Sequence, residues 1–355
     1  MPRQSLLQGT GLRRSLGSDY LAQIIGGLMI NGHEIRSLTG STKDGAPLAL
    51  ARPPAGDLRP WLSWITVTNL EMPQGQTVRC ATLSDQPCLR LMFGADWTAD
   101  DRDGHKLFRP GRKGMTLYFG SQSRIMPVSV SGSFKMITLN FTMGASVLGG
   151  PTQGELLDRV IDYDALVGHG RLTSRIPLAG DPAQWADAIE AEFRAFVDKF
   201  GSQPPDSLSS SFERACLIEP EFDLAQFAAA HGTSVRTLER TVKRDFGISP
   251  SFAQRRARAL DIAASLLGVA LPEEEATMGL RYYDQAHQIR EIRRFFGMRP
   301  GDLARSPNPV LRITLESRQK RRLDALRQLG SLDRLPWRDP AAEPAMAPRS
   351  GLQLR

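Results

Sequence analysis

Cysteine and histidine are scarce in this chain of 355 residues, which has three of the first and five of the second. Cys80, Cys88 and Cys216 include no CxxC pair and leave an odd thiol over. That excludes a secreted disulfide framework and a cysteine-rich zinc site. His33, His105 and His169 stand singly with no HxH spacing, whereas a metal enzyme needs two or three histidines and a carboxylate converging on one ion. There is no GxxxxGK(S/T) loop, no GxGxxG after a strand-like run, and no nucleophile elbow around Ser121 or Ser123. Nucleotide loops and serine hydrolysis are therefore not indicated. Long apolar runs are missing too. Leu21–Ile30 is the longest, about ten residues with Gln23 inside it, where a membrane span needs about 20. Arg13 and Arg14 precede it, but no small-residue cleavage pattern follows. The expectation is a cytoplasmic protein with no cofactor, no metal and no membrane partner.

What is present suffices for two ordinary cores. Hydrophobic residues make up 41% and charged residues 23%, and the length fits two domains better than one. Lys and Arg number 45 against 38 Asp and Glu, a net charge of +7. This permits a polyanionic partner, and the placement of the charge decides whether there is one.

Composition changes along the chain, and the expected class is α+β. Residues 1–50 read as an N-terminal arm, partly helical. Residues 51–150 read as a β-rich domain, a sandwich or small barrel, because runs such as WLSWITVTNLE (61–71), QTVRCATL (76–83), CLRLMF (88–93) and MTLYFG (115–120) are broken by turn residues. SRIMPVSVSG and SFKMITLNFT follow as two further strands. In the second, Phe134, Met136 and Thr138 face one way and Lys135, Ile137 and Leu139 the other. Residues 151–200 read as helical. Leu156, Leu157, Val160 and Ile161 fit one face of a helix over 155–166, and Asp181 caps a second helix with a stripe of Trp185, Ile189, Phe193, Phe196 and Phe200. That stripe suits either packing on the β domain or dimerisation. GSQPPDSLSSS (201–211) reads as a linker and 212–305 as a wholly helical domain. Residues 306–355 read as an extension with one further helix and a disordered, Pro- and Ala-rich end.

The functional signal lies in DLAQFAAAHGTSVRTLERTVKRDFGISP (223–250). A helix with Leu224, Phe227 and Ala228 inward ends at His231–Gly232, and Ser234 caps a second helix from Val235. Leu238 and Val242 fall on its buried side. Arg236, Arg240 and Lys243 share the opposite face, with Glu239 beside them. This is the layout of a helix-turn-helix reader of a DNA major groove, although a solvated helix face can carry the same residues. A second such element follows in GLRYYDQAHQIREIRRFFGMRP (279–300), with Asp284 at the cap and Arg290, Arg293 and Arg294 on the helix. The two finish alike, in DFGISP and FFGMRP, and SFAQRRARALDIAASLLG (251–268) reads as a helix between them with Phe252, Ala259, Ala263, Leu266 and Leu267 inward.

Together these elements resemble the C-terminal domain of the AraC/XylS family of transcription regulators, over about 100 residues. The resemblance rests on Ser234, Arg236, Leu238, Arg240, Gly247, Ser249 and Pro250, then on Gly279, Asp284, Gln285, His287, Arg290, Phe296, Gly297 and Pro300. It implies a double helix-turn-helix that reads successive major-groove segments of double-stranded DNA. Arg236, Glu239 and Arg240 become base-contact candidates of the first reader, with Gln285, Ala286 and Arg290 in the corresponding places of the second. Lys243, Arg244, Arg293 and Arg294 become phosphate neutralisers. The resemblance further implies a cupin-like sensor beginning near DLRPWLSWITV (57–67), a small-molecule effector, a homodimer, RNA polymerase as partner, and activation more than repression. The chain departs from the pattern at Glu274 and Glu275, where the family has a buried Ile-Ala pair, and at Leu280 and Gln288, where it has Phe. Glu273, Glu274 and Glu275 suit a helix N-terminus but oppose phosphate, so the second reader is expected to contribute less affinity than the first.

In the β-rich half, Trp61, Trp64, Phe93, Trp97, Tyr118 and Phe119 are expected to form core, with a ligand cavity between the sheets as the alternative; Arg79, Arg90 and Arg124 would then anchor an anionic ligand, although lone strand arginines usually face water. No ligand-binding residue is singled out. The chain is read as a regulator and not an enzyme. Two rivals remain open: a protein-interaction regulator with a degraded second reader, and a cupin-like enzyme fused to a DNA-binding domain.

Overall fold

The alternating runs of the first half pair into one antiparallel sheet. The computed structural model describes residues 35–145, 152–167, 172–200, 203–270, 285–306, 308–327, 337–339 and 341. Its strands are β1 (Arg36–Ser37), β2 (Leu50–Arg52), β3 (Leu62–Glu71), β4 (Thr77–Thr82), β5 (Cys88–Asp101), β6 (Gly104–Phe108), β7 (Gly111–Phe119), β8 (Met126–Phe141) and β9 (Val160–Asp162). The helices are α1 (Gln153–Leu156), α2 (Tyr163–Val167), α3 (Pro182–Phe200), α4 (Ser207–Ile218), α5 (Leu224–Ala230), α6 (Val235–Phe246), α7 (Pro250–Leu266), α8 (Gln285–Phe296), α9 (Pro300–Arg305) and α10 (Pro309–Arg327). Across the sheet β3, β8, β5 and β7 are neighbours, with β1 and β2 on β3, β4 on β8, β6 on β5 and β9 on β7. The chain thus has a β-rich half and a helical half.

β8 ties the sheet together. Its first half pairs with β4, its second half with β3, and both halves with β5. The two strands expected in SRIMPVSVSG and SFKMITLNFT are therefore one, continuous through Gly132. β5 likewise runs past Phe93 to Asp101, with a register shift between Gly94 and Asp96. Gly94 has a φ of 94°, and a Cβ there would meet the Ser133 carbonyl oxygen at 2.7 Å, so the bend requires glycine.

Alternation sorts the side chains onto two faces. Ile65, Val67, Leu89, Leu91, Ile137 and Leu139 meet α3, where Trp185 and Ile189 are 1% exposed and Phe193 is buried with them. Trp185, Ile189 and Phe193 of the aromatic stripe thus pack on the chain's own sheet, with Phe196 partly buried beside them, while the Phe200 side chain lies outside the described residues. Asp181 starts that helix, its Oδ1 accepting from Gln184 N at 2.9 Å. Leu70, Cys88, Met92, Val128, Phe134 and Met136 fill the other face, with Trp97 and Phe119 among them. Cys80 and Cys88 are separate buried thiols, and burial pushes Cys80 up to about 12.

Several expectations need correction. Residues 155–166 are not one helix: α1 stops at Leu156, Asp158 takes a φ of 59°, and Val160–Asp162 become β9. The Asp158 carboxylate accepts from Ser123 N at 2.7 Å and fixes that turn. Leu156 and Val160 then enter different cores, so their helical spacing has no helix behind it. The expected linker is shorter, because Asp206 accepts from Leu208 N at 2.9 Å and starts α4 inside it. Residues 35–50 of the arm hold strand and isolated bridges, while residues 1–34 lie outside the described residues. In the end expected to be disordered, Trp337 and Arg338 are buried, and Arg338 Nε lies 2.8 Å from Glu316 of α10. Glu273, Glu274, Glu275, Gly279, Leu280 and Asp284 lie outside the described residues.

α10 is buried on several sides through Val310, Leu311, Ile313, Leu315, Glu316, Arg318, Gln319, Arg321 and Leu323. It is wedged between the sheet and the helical half. Asn308 seats its start, with Oδ1 accepting from Leu311 N and from Ala81 N of β4, each at 3.1 Å. Among the described residues no helix is long and apolar enough to cross a membrane, and no three His, Cys, Asp or Glu gather as metal ligands.

Candidate nucleic-acid interface

The first candidate element, α5 and α6, is built by three local caps. The Asp223 carboxylate accepts from Gln226 N at 2.8 Å and starts α5; Gly232, with a φ of 64°, follows its end. Ser234 Oγ accepts from Thr237 N at 3.1 Å and starts α6. Gly247, with a φ of 71°, closes α6. Leu238 and Val242 are fully buried beside Phe212, Ala228 and Phe246. Burying such a side chain contributes about 1.5–3 kcal/mol, and this turns the opposite face of α6 to solvent. Arg236, Glu239, Arg240 and Lys243 are all exposed there. Guanidinium groups on such a face can donate to guanine edges or to phosphate, and a glutamate can accept from cytosine. Arg244 differs from the others. Its Nε and Nη2 each lie 2.6 Å from the Asp245 carboxylate and Nη2 lies 3.3 Å from Asp206, so its charge is already matched and it ties α6 to the start of α4.

Of the second candidate element, the described residues begin with α8, and its contacts differ. Ile292, Phe295 and Phe296 of α8 are fully buried, and Gly297 has a φ of 68°. Glu291 is buried and accepts from Arg255 of α7 at 2.5 and 3.1 Å. Arg290, Arg293 and Arg294 are exposed, and the Arg294 guanidinium stands 5.6 Å from the centre of the Phe252 ring. Gln285 and Ala286 open the helix, but their side chains lie outside the described residues. Counting back from the closing glycines, Gly247 and Gly297, corrects one correspondence: Arg236 matches Ala286, Glu239 matches Ile289, and Arg240 matches Arg290. Ile289 is exposed, and its position relative to Gly297 is the sequence signal that identifies it.

Helices α4, α7 and α10 are joined to the sheet through a buried charged knot. Asp85, in the turn between β4 and β5, accepts from Arg318 Nε at 3.1 Å and from Arg321 Nη2 at 3.0 Å. Arg256 of α7 donates to the carbonyls of Asp85 at 3.0 Å and Gln122 at 2.7 Å. Arg318 also pairs with Asp261 of α7, and Glu213 of α4 accepts from Met143 N at 2.9 Å and from Gln86. Burial alone would raise the Asp85 carboxyl, but Arg321, Arg318 and Arg256 hold it well below its ordinary value. Burial pushes Glu213 the other way, upward. The C-terminal end of α6 meets the β half as well, since a Cβ on Gly247 would lie 2.8 Å from the Gln153 carbonyl oxygen. Near the second reader, Ile125 N donates to Phe295 O at 2.7 Å.

No protein-family model matches the chain, and no curated protein matches it. Solved structures do overlap with it. ToxT from Vibrio cholerae, in the apo form of a single-residue variant, covers 68% of this chain and 97% of its own at 10% identity and a TM-score of 0.40. CuxR, an AraC-like transcriptional activator, covers 59% of this chain and 85% of its own at 12% identity and a TM-score of 0.26. Oxalate decarboxylase from Bacillus subtilis covers 48% and 35% at 13% identity and a TM-score of 0.20. Such low scores establish no shared fold, and the reading of the chain rests on its own residues.

Proposed function

We propose that the chain is a sequence-specific DNA-binding regulator of transcription, an activator in the cytoplasm rather than an enzyme, whose β-rich half receives a signal. One observation carries this reading. α6 is capped by Ser234 and pinned by Leu238 and Val242, so that Arg236, Glu239, Arg240 and Lys243 stand together on an exposed face. α8 supplies a second basic face through Arg290, Arg293 and Arg294. Base edges would be read by the first residues of each helix and phosphates met by the later cations. A homodimer, with RNA polymerase as a further partner, belongs to the same reading. The sheet occupies Trp185, Ile189 and Phe193 of α3, which favours a dimer surface elsewhere. A signal acts by binding two arrangements of the halves with different affinity, and the knot around Asp85 is where such arrangements would differ.

The test is selection of fragmented DNA from the source genome by the purified full-length protein at near-physiological salt. A shared motif over two major-groove segments about one turn apart is expected. No enrichment over random DNA from folded protein overturns the reading. The second reader is proposed to contribute less. Alanine at Arg240 should then cost more operator affinity than alanine at Arg290, and equal losses would refute that ranking.

A further inference from the structure

A cavity of about 40 Å³ lies between α10 and the face of the sheet that carries Phe134 and Met136. A single buried water needs roughly 10–15 Å³ by the same measure, so the space suits a group of a few heavy atoms. Its walls are rich in unused hydrogen-bond donors. Arg90 of β5, for which the sequence leaves open both a water-facing and an anion-anchoring role, is only 5% exposed, and its Nε and Nη1 have no hydrogen-bond partner. Its guanidinium lies 4.1 Å from the centre of the Phe119 ring, and among the described residues no carboxylate pairs with it. Across the cavity, Arg318 of α10 is 4% exposed, and its Nη2 is unused although its other nitrogens reach Asp85 and Asp261. Trp64 Nε1, Thr68 Oγ1 and Ser317 Oγ are likewise buried without partners, and all five residues line the same space.

The charge balance there is positive. Asp85 also lines the cavity, but Arg318, Arg321 and Arg256 already surround it. The thiols nearest Arg90 do not counter its charge, because burial raises both Cys80 and Cys88 above their ordinary range. Arginine cannot shed its proton, and a buried cation left alone costs several kcal/mol. We propose that this cavity binds a small oxyanion of carboxylate size, held between Arg90 of the sheet and Arg318 of the C-terminal helix. The anion accepts from both guanidiniums and from the Trp64 indole. Because one wall is sheet and the other is α10, occupancy fastens the β half to the helix that also grips α7. The binding stands on this geometry alone. Its use as the signal rests on the regulator reading.

The experiment is calorimetric titration and thermal unfolding of the full chain with sodium acetate, using sodium chloride at equal ionic strength as control and phosphate as a larger oxyanion. Acetate is expected to give a saturable heat and a saturable rise in midpoint that chloride does not. Arg90→Met removes the unpaired cation while keeping the apolar stem, so it should fold and bind acetate at least about tenfold more weakly. Ser317→Ala, in the middle of α10, removes another unpartnered hydroxyl from the cavity wall and should weaken binding several-fold without lowering the midpoint of the anion-free protein. Saturable binding of phosphate in preference to acetate still supports an oxyanion site but overturns its carboxylate size. No saturable response to either anion overturns the site, as does a response that Arg90→Met leaves unchanged. DNA plays no part in this assay, so failure here leaves the selection experiment standing, and failure of that experiment leaves the site standing.

Discussion

Replacing Asp85 by Asn tests the charged knot most directly. The substitution keeps the shape and one oxygen but removes the charge that faces Arg318 at 3.1 Å and Arg321 at 3.0 and 3.2 Å. Both guanidiniums are buried, at 4% and 8% exposure. Removing one partner of a buried pair costs about 3–5 kcal/mol. Arg318 keeps Asp261, and Arg321 keeps Glu213 at 3.8 Å, so the expected loss lies near the lower end, about 3 kcal/mol at pH 7. Urea unfolding of the full-length protein at 25 °C measures it, with the denaturant slope unchanged. The pH dependence gives a second check. A carboxyl whose folded value is depressed contributes stability that is present above its unfolded value, 3.8, and is lost as pH falls toward the folded value. The gap between wild type and Asp85→Asn should therefore be constant from pH 7 to about pH 5 and close below pH 4. A loss under about 1 kcal/mol, or a gap that persists unchanged into acid, would show that the knot does not hold the halves together as described.

Three further outcomes are expected. Trp185→Ala should destabilise the protein by about 3–5 kcal/mol in urea, because the side chain is 1% exposed against the sheet; a loss below 1 kcal/mol would mean that α3 is not seated there. Gly247→Ala should cost about 2–3 kcal/mol through its φ of 71° and the close Gln153 carbonyl. Once an operator is known, Lys243→Ala should lower the salt slope of DNA binding by about 1. Arg244→Ala should leave that slope alone and instead lower stability by about 1 kcal/mol, its guanidinium being already matched by Asp245 and Asp206.

The elements that declare themselves in the sequence are those with local causes. Ser234, Gly232 and Gly247 act within a turn of chain, so α5 and α6 are legible down to their caps. The alternation around Phe134 and Ile137 similarly records which face of β8 meets which core. What escapes has distant causes. Leu156, Leu157, Val160 and Ile161 fit a helical period, yet the edge of β7 takes Val160–Asp162 as a strand. α10 has no apolar stripe because its arginines and Glu316 are buried with partners from elsewhere in the chain. Arg90 resembles any strand arginine until the fold sets Arg318 across from it. The sequence likewise names the basic positions of the first reader but not that Arg244 is spoken for, since Asp206 is 38 residues away.

The late position of α10 in the chain bears on how the protein is made. Arg321 bonds to Asp85 across 236 residues, and Asn308 caps the edge of β4 across 227. Ribosomes add about 5–20 residues per second. The sheet face that carries Phe134 and Met136 therefore waits on the order of 10–50 s for the helix that covers it. During that interval Asp85 has neither Arg318 nor Arg321, and Leu83 lacks Leu311, Leu315 and Leu323 from its core. A nascent chain arrested before Pro309 should hold a loosened sheet that binds chaperones and is cut by proteases near the β4–β5 turn, and the last helix should abolish both.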